Sequence, residues 1–300
     1  MDPSHLAVVL DLAPVHWHRS PLTLDVFLAQ LLAFLNAHIA LKHDNHLAVF
    51  AALPNRSVLL YASSDPPSLD TSVPSDPNVY PPFRRLDTAV TTRIAEELNN
   101  PELDVDAPSA LVGALTKALC RAFFMLYFVL LYLTRLLDIN RMSLTEQLVD
   151  PRILILSVSP DLSTAYIPIM NSIFSAQKLV SVHSRVHRIL SFVPQKVTID
   201  ACQIFGADTV FLQQAAHLTG GSYLYLTETS ALLQYLIVSH AQSSDHRHHQ
   251  QWCLDVLFAA ACHPEGPRRS DPRQDRFPGG LLLSQEHRRY WLRVLRLPVQ

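Results

Sequence analysis

Residues 6–11, Leu6-Ala7-Val8-Val9-Leu10-Asp11, decide the fold of this chain: five apolar residues are followed by one acid. A short apolar run with β-branched members is typical of a strand that helices cover on both faces, as in a parallel sheet. Such a strand lies in the middle of its sheet. Open α/β sheets hold their ligands in a crevice at the carboxyl ends of the strands. Asp11 is therefore predicted to lie at that crevice.

Strand and helix patterns alternate along the rest of the chain. Leu47–Leu53 and Ser57–Ala62 are predicted strands, and the short Pro54-Asn55-Arg56 connection between them requires an antiparallel hairpin. Further strands are predicted at 152–158, 197–201 and 223–226, and helices at 20–39, 83–98, 109–119, 166–177, 208–218 and 230–240. This order predicts an α/β fold with a doubly wound, mostly parallel sheet, one antiparallel strand and helices on both faces.

Local signals predict several element boundaries. Ser20-Pro21 is typical of a helix start, with serine as the N-cap and proline at the first helical position. Asp208 is a second predicted N-cap, and Gly220-Gly221 is predicted to end that helix. Residues 63–82 are dense in Pro, Ser and Asp, which favours a mobile surface linker.

Composition excludes several classes of protein. The formal net charge of −2 provides no overall field that would attract nucleic acid. None of the seven glycines forms a G-x-G-x-x-G, G-x-x-x-x-G-K-[ST] or G-x-S-x-G motif, so the common phosphate-binding loops and the nucleophile elbow are excluded. The four cysteines are scattered, which favours a reducing compartment over a disulfide scaffold.

Residues 122–137 form a second long apolar run, interrupted by Arg135. It is sixteen residues long, whereas a membrane-spanning helix needs roughly 20 apolar residues. A buried core helix is therefore the favoured interpretation, and a membrane-anchored domain stays open as a weaker alternative.

Six stretches resemble one known family. They are Leu6 to Pro14, Arg152-Ile-Leu-Ile-Leu-Ser-Val-Ser, Ile173-Phe-Ser-Ala-Gln-Lys, Ile199-Asp-Ala-Cys, Leu212-Gln-Gln-Ala-Ala-His-Leu-Thr-Gly-Gly and Leu232-Leu-Gln-Tyr-Leu. The order of strands and helices resembles that of a von Willebrand A domain. The stretches themselves resemble the smaller of the two von Willebrand A subunits of general transcription factor IIH, over most of residues 6–240.

The resemblance implies a non-enzymatic, nuclear subunit of the core of that transcription factor. It implies roles in initiation by RNA polymerase II and in nucleotide excision repair. The main implied partner is the larger von Willebrand A subunit, including its zinc-bearing C-terminal domain, together with other core subunits.

The sequence departs from this family in three places. Residues 121–138 and 180–195 stand where the family has no such segments, so we interpret both as inserts. Residues 241–300 form a polar and basic tail in place of the family's C-terminal zinc module, whose paired cysteines are mostly missing here. Our hypothesis is that the inserts and the tail are intron or frame-shifted translation, which sequencing of the transcript would test.

The sequence after Asp11 argues against a metal site in the crevice. Metal-binding A domains continue this strand into D-x-S-x-S, whose carboxylate and hydroxyl oxygens hold Mg²⁺. Ala13 and Val15 occupy the two serine positions here. Asp11 is therefore predicted to lack hydroxyl partners and to act as a capping or turn-forming acid.

The tail contains three further groups of residues that could bind a metal ion or nucleic acid. Cys253, Cys262 and His263 are too few and too widely spaced for a structural zinc site. The histidines at 246, 248 and 249 are predicted to lie in a solvated linker. The basic stretch from Arg268 to Arg296 could contact nucleic acid, but a solvated tail is the favoured interpretation.

We therefore predict a scaffold subunit with no catalytic, cofactor-binding or metal-binding residues, no small-molecule substrate, and no direct contact with membrane or nucleic acid. The alternative is a soluble hydrolase on a similar doubly wound sheet. Turnover of a small substrate that depends on Asp11 would favour the hydrolase over the scaffold subunit. Residues 11–17 and the helix that carries Phe211 are the predicted docking regions for partners.

Overall fold

The computed structural model describes residues 4–65, 80–102, 104–140, 150–186 and 197–243. Its strands are β1 (Ser4–Asp11), β2 (His46–Leu53), β3 (Arg56–Ala62), β4 (Asp150–Ser157), β5 (Thr198–Gln203) and β6 (Tyr223–Tyr225). Its helices are α1 (Pro14–Arg19), α2 (Leu24–Leu41), α3 (Pro81–Leu98), α4 (Leu111–Asn140), α5 (Tyr166–Val186), α6 (Val210–Thr219) and α7 (Leu232–Ser243).

The strands form one sheet in the order β3-β2-β1-β4-β5-β6. β1 lies in its middle and pairs in parallel with β2 and with β4. Only β3 runs antiparallel to its neighbour, as the hairpin prediction requires. The predicted fold class, a mostly parallel sheet with one antiparallel strand and helices on both faces, is confirmed.

Alternate residues of β1 face two separate cores. Leu6, Val8 and Leu10 pack into the core that contains residues of α2, α3 and α7. Ala7 and Val9 pack into the core that contains residues of α4, α5 and α6. None of the five is more than 1% exposed. This burial on both faces explains why the strand is continuously apolar instead of alternating between apolar and polar residues.

The predicted helix start at Ser20-Pro21 is wrong. The short helix α1 occupies residues 14–19 and ends at Ser20, and α2 begins only at Leu24, with Thr23 as the preceding residue. α1 is held in place by Trp17, whose indole N–H donates to the carbonyl of Asp11 at 2.7 Å and whose ring lies 4.8 Å from that of Phe27. A helix of six residues is too short to show an apolar period, so the sequence did not reveal it.

The predicted cap at Asp208 is also wrong, although the end of the same helix is confirmed. Thr209 precedes α6 without a side-chain cap, and Asp161 instead accepts the Phe211 amide at 3.1 Å. Gly220 ends α6 with a left-handed φ of 68°, a conformation that glycine adopts without steric cost.

By length and composition alone, helix α2 could cross a membrane, because the mean hydropathy of Leu24–Leu41 is 1.7. In the structure, its residues Phe27, Leu31 and Leu35 lie in the core beneath the sheet. The apolar run at 122–137 lies on α4, where Ala122 is also buried in a core. Both helices therefore contribute to the packing of the domain.

Several predictions fall partly or wholly outside the described residues. Of the linker predicted at 63–82, Pro81 and Pro82 instead belong to α3, and residues 66–79 lie outside the described residues. The backbone of α4 runs through residues 121–138, and α5 covers the first part of 180–195 up to Val186, whereas residues 187–196 lie outside. Residues 244–300, with the Cys253–Cys262–His263 set, the histidines at 246–249 and the basic tail, also lie outside. Both insert assignments and the tail assignment stay predictions.

The outer edge of β3 is capped by cationic side chains from two helices. From α3, the Arg93 guanidinium donates to the carbonyls of Leu59 and Leu60 at 3.0 and 2.9 Å. From α4, the Lys117 ammonium donates to the carbonyl of Ser57. The register of the β2–β3 pair also shifts beside Phe50, which is typical of a β-bulge. Main-chain acceptors of this edge strand are thus already in use.

A buried histidine near the start of β1 makes stability sensitive to acid. His5 is 1% exposed, and burial lowers its pKa from 6.5 to about 3, assisted by the positive potentials of His46, Arg121 and His38. The folded chain therefore keeps His5 neutral, whereas the unfolded chain protonates it below pH 6.5. Stability from this group is complete above pH 6.5 and is lost progressively as the pH falls from 6.5 towards 3.

We expect the free energy of unfolding to fall by about 2 kcal/mol between pH 7 and pH 5 because of His5 alone. Urea denaturation of the wild type and of His5→Leu at both pH values measures this contribution, since leucine removes the titrating group. The fall should be about 2 kcal/mol smaller in the variant. If the free energy of unfolding fell equally in the two proteins, protonation of His5 would not destabilise the folded chain, which would contradict the prediction.

Candidate functional site

The crevice of this sheet lies where β1 and β4 end side by side. The chain leaves β1 towards β2 on one side and returns through β4 on the other, so the connections reverse direction between these two strands. Ligands of open α/β sheets bind at such a switch point. Asp11 ends β1 and Ser157 ends β4, which places the predicted crevice residue where the sequence indicated.

Asp11 is 1% exposed, and both of its carboxylate oxygens accept hydrogen bonds. Oδ1 accepts from the Ser109 hydroxyl at 2.8 Å and from the Ala13 amide at 3.4 Å. Oδ2 accepts from the amides of Ser159 at 2.8 Å and Val158 at 3.2 Å, and from the Ser157 hydroxyl at 3.3 Å. The carboxylate therefore joins the end of β1 to the segment before α4 and to the segment after β4.

The prediction that Asp11 lacks hydroxyl partners is wrong. Ala13 and Val15 do replace the two nearby serines, but Ser109 and Ser157 supply hydroxyls from distant parts of the chain. The turn-forming role is minor, because the contact with the Ala13 amide is the longest of the five. No local spacing could reveal these partners, since they lie 98 and 146 residues from Asp11 in sequence.

This arrangement does not fit a magnesium ion. A carboxylate has about four lone-pair positions, and five donors already surround Asp11. Mg²⁺ needs oxygen acceptors in an octahedral shell, whereas the nearest neighbours of this carboxylate include three backbone N–H groups. Among the residues that the structure describes, no group of three or more His, Cys, Asp or Glu could hold a metal ion. The geometry favours a structural role for Asp11.

The cysteine at the end of β5 does not supply a nucleophile. Cys202 is 1% exposed, and burial raises the pKa of its thiol to about 12. A thiol with such a pKa stays protonated at neutral pH, and the protonated form is a poor nucleophile.

Of the two predicted docking regions, residues 11–17 offer little apolar surface. Trp17, the aromatic residue that could anchor a partner there, points inward and is 9% exposed. Its indole N–H is already bonded to the carbonyl of Asp11.

The helix that carries Phe211 is different, because apolar residues are exposed along it and along α5. We call the groove between the two helices the α5–α6 groove; its volume is about 400 Å³, and it is lined by Tyr166, Met170, Val210, Gln213, Gln214, His217 and Leu218. Phe211 itself is half-buried and lies 5.3 Å from the ring of Tyr166.

Comparison with known proteins agrees with the resemblance seen in the sequence. The family model of Transcription factor Tfb4 matches residues 3–266. The general transcription and DNA repair factor IIH subunit tfb4 of Schizosaccharomyces pombe is 32% identical over 269 residues, covering 87% of this chain and 78% of that protein. The subunit TFB4 of Arabidopsis thaliana is 31% identical with the same coverage.

A solved structure supports the same conclusion. The N-terminal domain of TFIIH p34 is 29% identical and covers 78% of this chain and 96% of its own, with a TM-score of 0.57. The fold is that of a von Willebrand A domain, and the match of the family model extends over most of the chain. The chain therefore belongs to the Tfb4 family, the p34-type subunits of general transcription and DNA repair factor IIH.

Proposed function

We propose that this chain is a non-enzymatic scaffold subunit of the general transcription factor IIH core. Its partner is the larger von Willebrand A subunit, which it contacts through that subunit's zinc-bearing C-terminal domain, and it also contacts other core subunits. It acts in the nucleus, in initiation by RNA polymerase II and in nucleotide excision repair. Membership of the Tfb4 family supports this proposal.

The hydrogen bonding of Asp11 is the observation that carries the scaffold role. In a metal-binding A domain, the acid at this position helps to hold Mg²⁺. Here the acid is enclosed by donors that come from three segments of the chain. Its lone pairs stabilise the fold, so this carboxylate is not free to bind a cation or to act on a substrate.

The proposal includes no cofactor for this chain, no small-molecule substrate and no direct contact with membrane or nucleic acid. Zinc belongs to the C-terminal module of the family. After residue 249, Cys253, Cys262 and His263 are the candidate remnant of that module. Two cysteines nine residues apart with one adjacent histidine, and no second closely spaced pair, do not make the ligand set of a structural zinc site.

Affinity purification of the full-length chain with a tagged larger subunit tests the proposal. We expect the chain to be retained by the complete partner, and to be lost when the partner lacks its zinc-bearing C-terminal domain. Failure to bind the complete partner would contradict the scaffold role. Hydrolysis of a small substrate by the purified chain, abolished in Asp11→Asn, would instead support the hydrolase.

A further inference from the structure

β3 carries a run of residues that favours strand pairing between molecules. Residues 57–63 read Ser-Val-Leu-Leu-Tyr-Ala-Ser and include no charged residue, proline or glycine. Uncharged runs of six or seven residues with high β-propensity are typical of segments that pair with identical copies of themselves. β3 also lies at one edge of the described sheet, and an edge strand is a template for a further strand. Both its sequence and its position therefore make this strand prone to pairing with another chain.

The two cationic caps on this edge come from opposite faces of the sheet. Arg93 lies on α3, which packs into the core on one face, and Lys117 lies on α4, which packs into the core on the other. Together they bind the outward carbonyls of Ser57, Leu59 and Leu60. In an antiparallel ladder, the amide and the carbonyl of one residue point to the same side. The amides of Ser57 and Leu59 therefore also face the edge.

Capping of these carbonyls opposes the addition of a strand in two ways. An incoming strand needs acceptors for its own amides, and the acceptors of β3 are already bound by Arg93 and Lys117. Its amides would therefore lose their hydrogen bonds to water without gaining others. In addition, two copies of this edge would bring their cationic caps close together, and like charges across a strand pair are destabilising.

We propose that Arg93 and Lys117 keep the edge of β3 closed against the same edge of a second copy of this chain. The second copy fits this edge because antiparallel pairing of two identical strands about a two-fold axis gives both strands the same hydrogen bonds. Loss of both caps opens the edge, and two six-stranded sheets then join through β3. This inference concerns the free chain and does not depend on the proposed function.

Removal of both caps in the full-length chain tests this inference. Arg93 and Lys117 are exposed, and their helices are held by apolar residues, so the fold tolerates alanine at both positions. We expect Arg93→Ala with Lys117→Ala to lower the dissociation constant of the dimer by roughly tenfold or more, because each freed carbonyl accepts a hydrogen bond from the second copy. Arg93→Ala alone frees two carbonyls and should give a smaller decrease. Sedimentation velocity over a series of concentrations measures these constants.

A control with the same change of charge separates the caps from a general effect of charge. Arg85→Ala with Arg121→Ala removes two cations from the same two helices. Arg85 is exposed, and Arg121 donates to the hydroxyl of Ser64 and not to a carbonyl of β3. We expect this control to self-associate no more than the wild type does. Equal dimerisation by the control and by the cap variant would show that the change of charge is the cause, which would overturn the inference.

Proline at position 57 locates the contact. Because the Ser57 amide faces the edge, Ser57→Pro removes a donor from the dimer contact without removing a hydrogen bond to β2, and edge strands tolerate proline. Added to the cap variant, Ser57→Pro should restore the dissociation constant of the wild type. In the dimer of the cap variant, the Leu59 amide should exchange its hydrogen more slowly than in the monomer.

Two results would overturn the inference. One is a cap variant that is folded by circular dichroism and self-associates no more than the wild type. The other is a dimer of the cap variant that persists after Ser57→Pro, because its contact would then lie away from β3.

Discussion

Replacing Asp11 by alanine is expected to lower the free energy of unfolding by about 3–5 kcal/mol. The substitution leaves the buried amides of Val158 and Ser159 without their acceptor, and each unsatisfied buried donor costs about 1–3 kcal/mol. The hydroxyls of Ser109 and Ser157 can rotate towards other acceptors and therefore add less. Urea denaturation monitored by circular dichroism measures the loss.

Two further variants identify the cause of this loss. Asp11→Asn retains one acceptor oxygen but turns an NH₂ group towards the other donors, so we expect an intermediate loss of about 2 kcal/mol. Asp25→Ala removes an exposed acid and should change stability by no more than about 0.5 kcal/mol. If Asp11 were instead a metal ligand, MgCl₂ would raise the melting temperature of the wild type and leave that of Asp11→Ala unchanged. That result would contradict the structural role.

The second large effect is expected at the ion pair between Arg152 and Asp200, which joins β4 to β5. The two side chains are hydrogen-bonded, and the residues are only 1% and 3% exposed. Asp200 also accepts from the amide and the hydroxyl of Ser222 at 2.8 and 2.9 Å, which fixes the segment before β6. Removing one partner of such a pair leaves a buried charge uncompensated.

We expect Arg152→Met to destabilise the chain by about 3–5 kcal/mol, because Asp200 then remains charged in the core. The double variant Arg152→Met with Asp200→Leu should lose markedly less stability than the sum of the two single variants, since no uncompensated charge remains. Urea denaturation of all four proteins completes a double-mutant cycle. Additive losses would show that the two charges do not depend on each other.

The central strand could be predicted from sequence because its signal is local. Residues 6–10 are buried on both faces, and such a strand must be apolar throughout. The β2–β3 hairpin was predictable for a similar reason, since the length of its turn sets the direction of the strands. Gly220 ended α6 as predicted because the backbone there has a positive φ.

The surroundings of Asp11 could not be predicted, because its hydroxyl partners come from elsewhere in the chain. Ser109 and Ser157 reach the carboxylate only once the sheet has assembled. The same holds for Asp161, which takes the capping role predicted for Asp208. It accepts a hydrogen bond from the amide of Phe211, which lies 50 residues away in sequence. In both cases the sequence predicted the element correctly and the polar partner incorrectly, because hydrogen-bond partners depend on tertiary contacts.

The capped carbonyls of β3 limit the ways in which this subunit can be recognised. Proteins that bind by strand addition gain affinity from main-chain groups, which are the same in every sequence. At one edge of the sheet, Arg93 and Lys117 already bind carbonyl groups of β3. At the opposite edge, β6 has only three described residues. Strand addition therefore has few free main-chain groups to pair with in the described sheet. Among the residues that the structure describes, we therefore expect partners to recognise side chains that the helices display. Substitutions at those surface positions would change the selectivity for partners without disturbing the sheet.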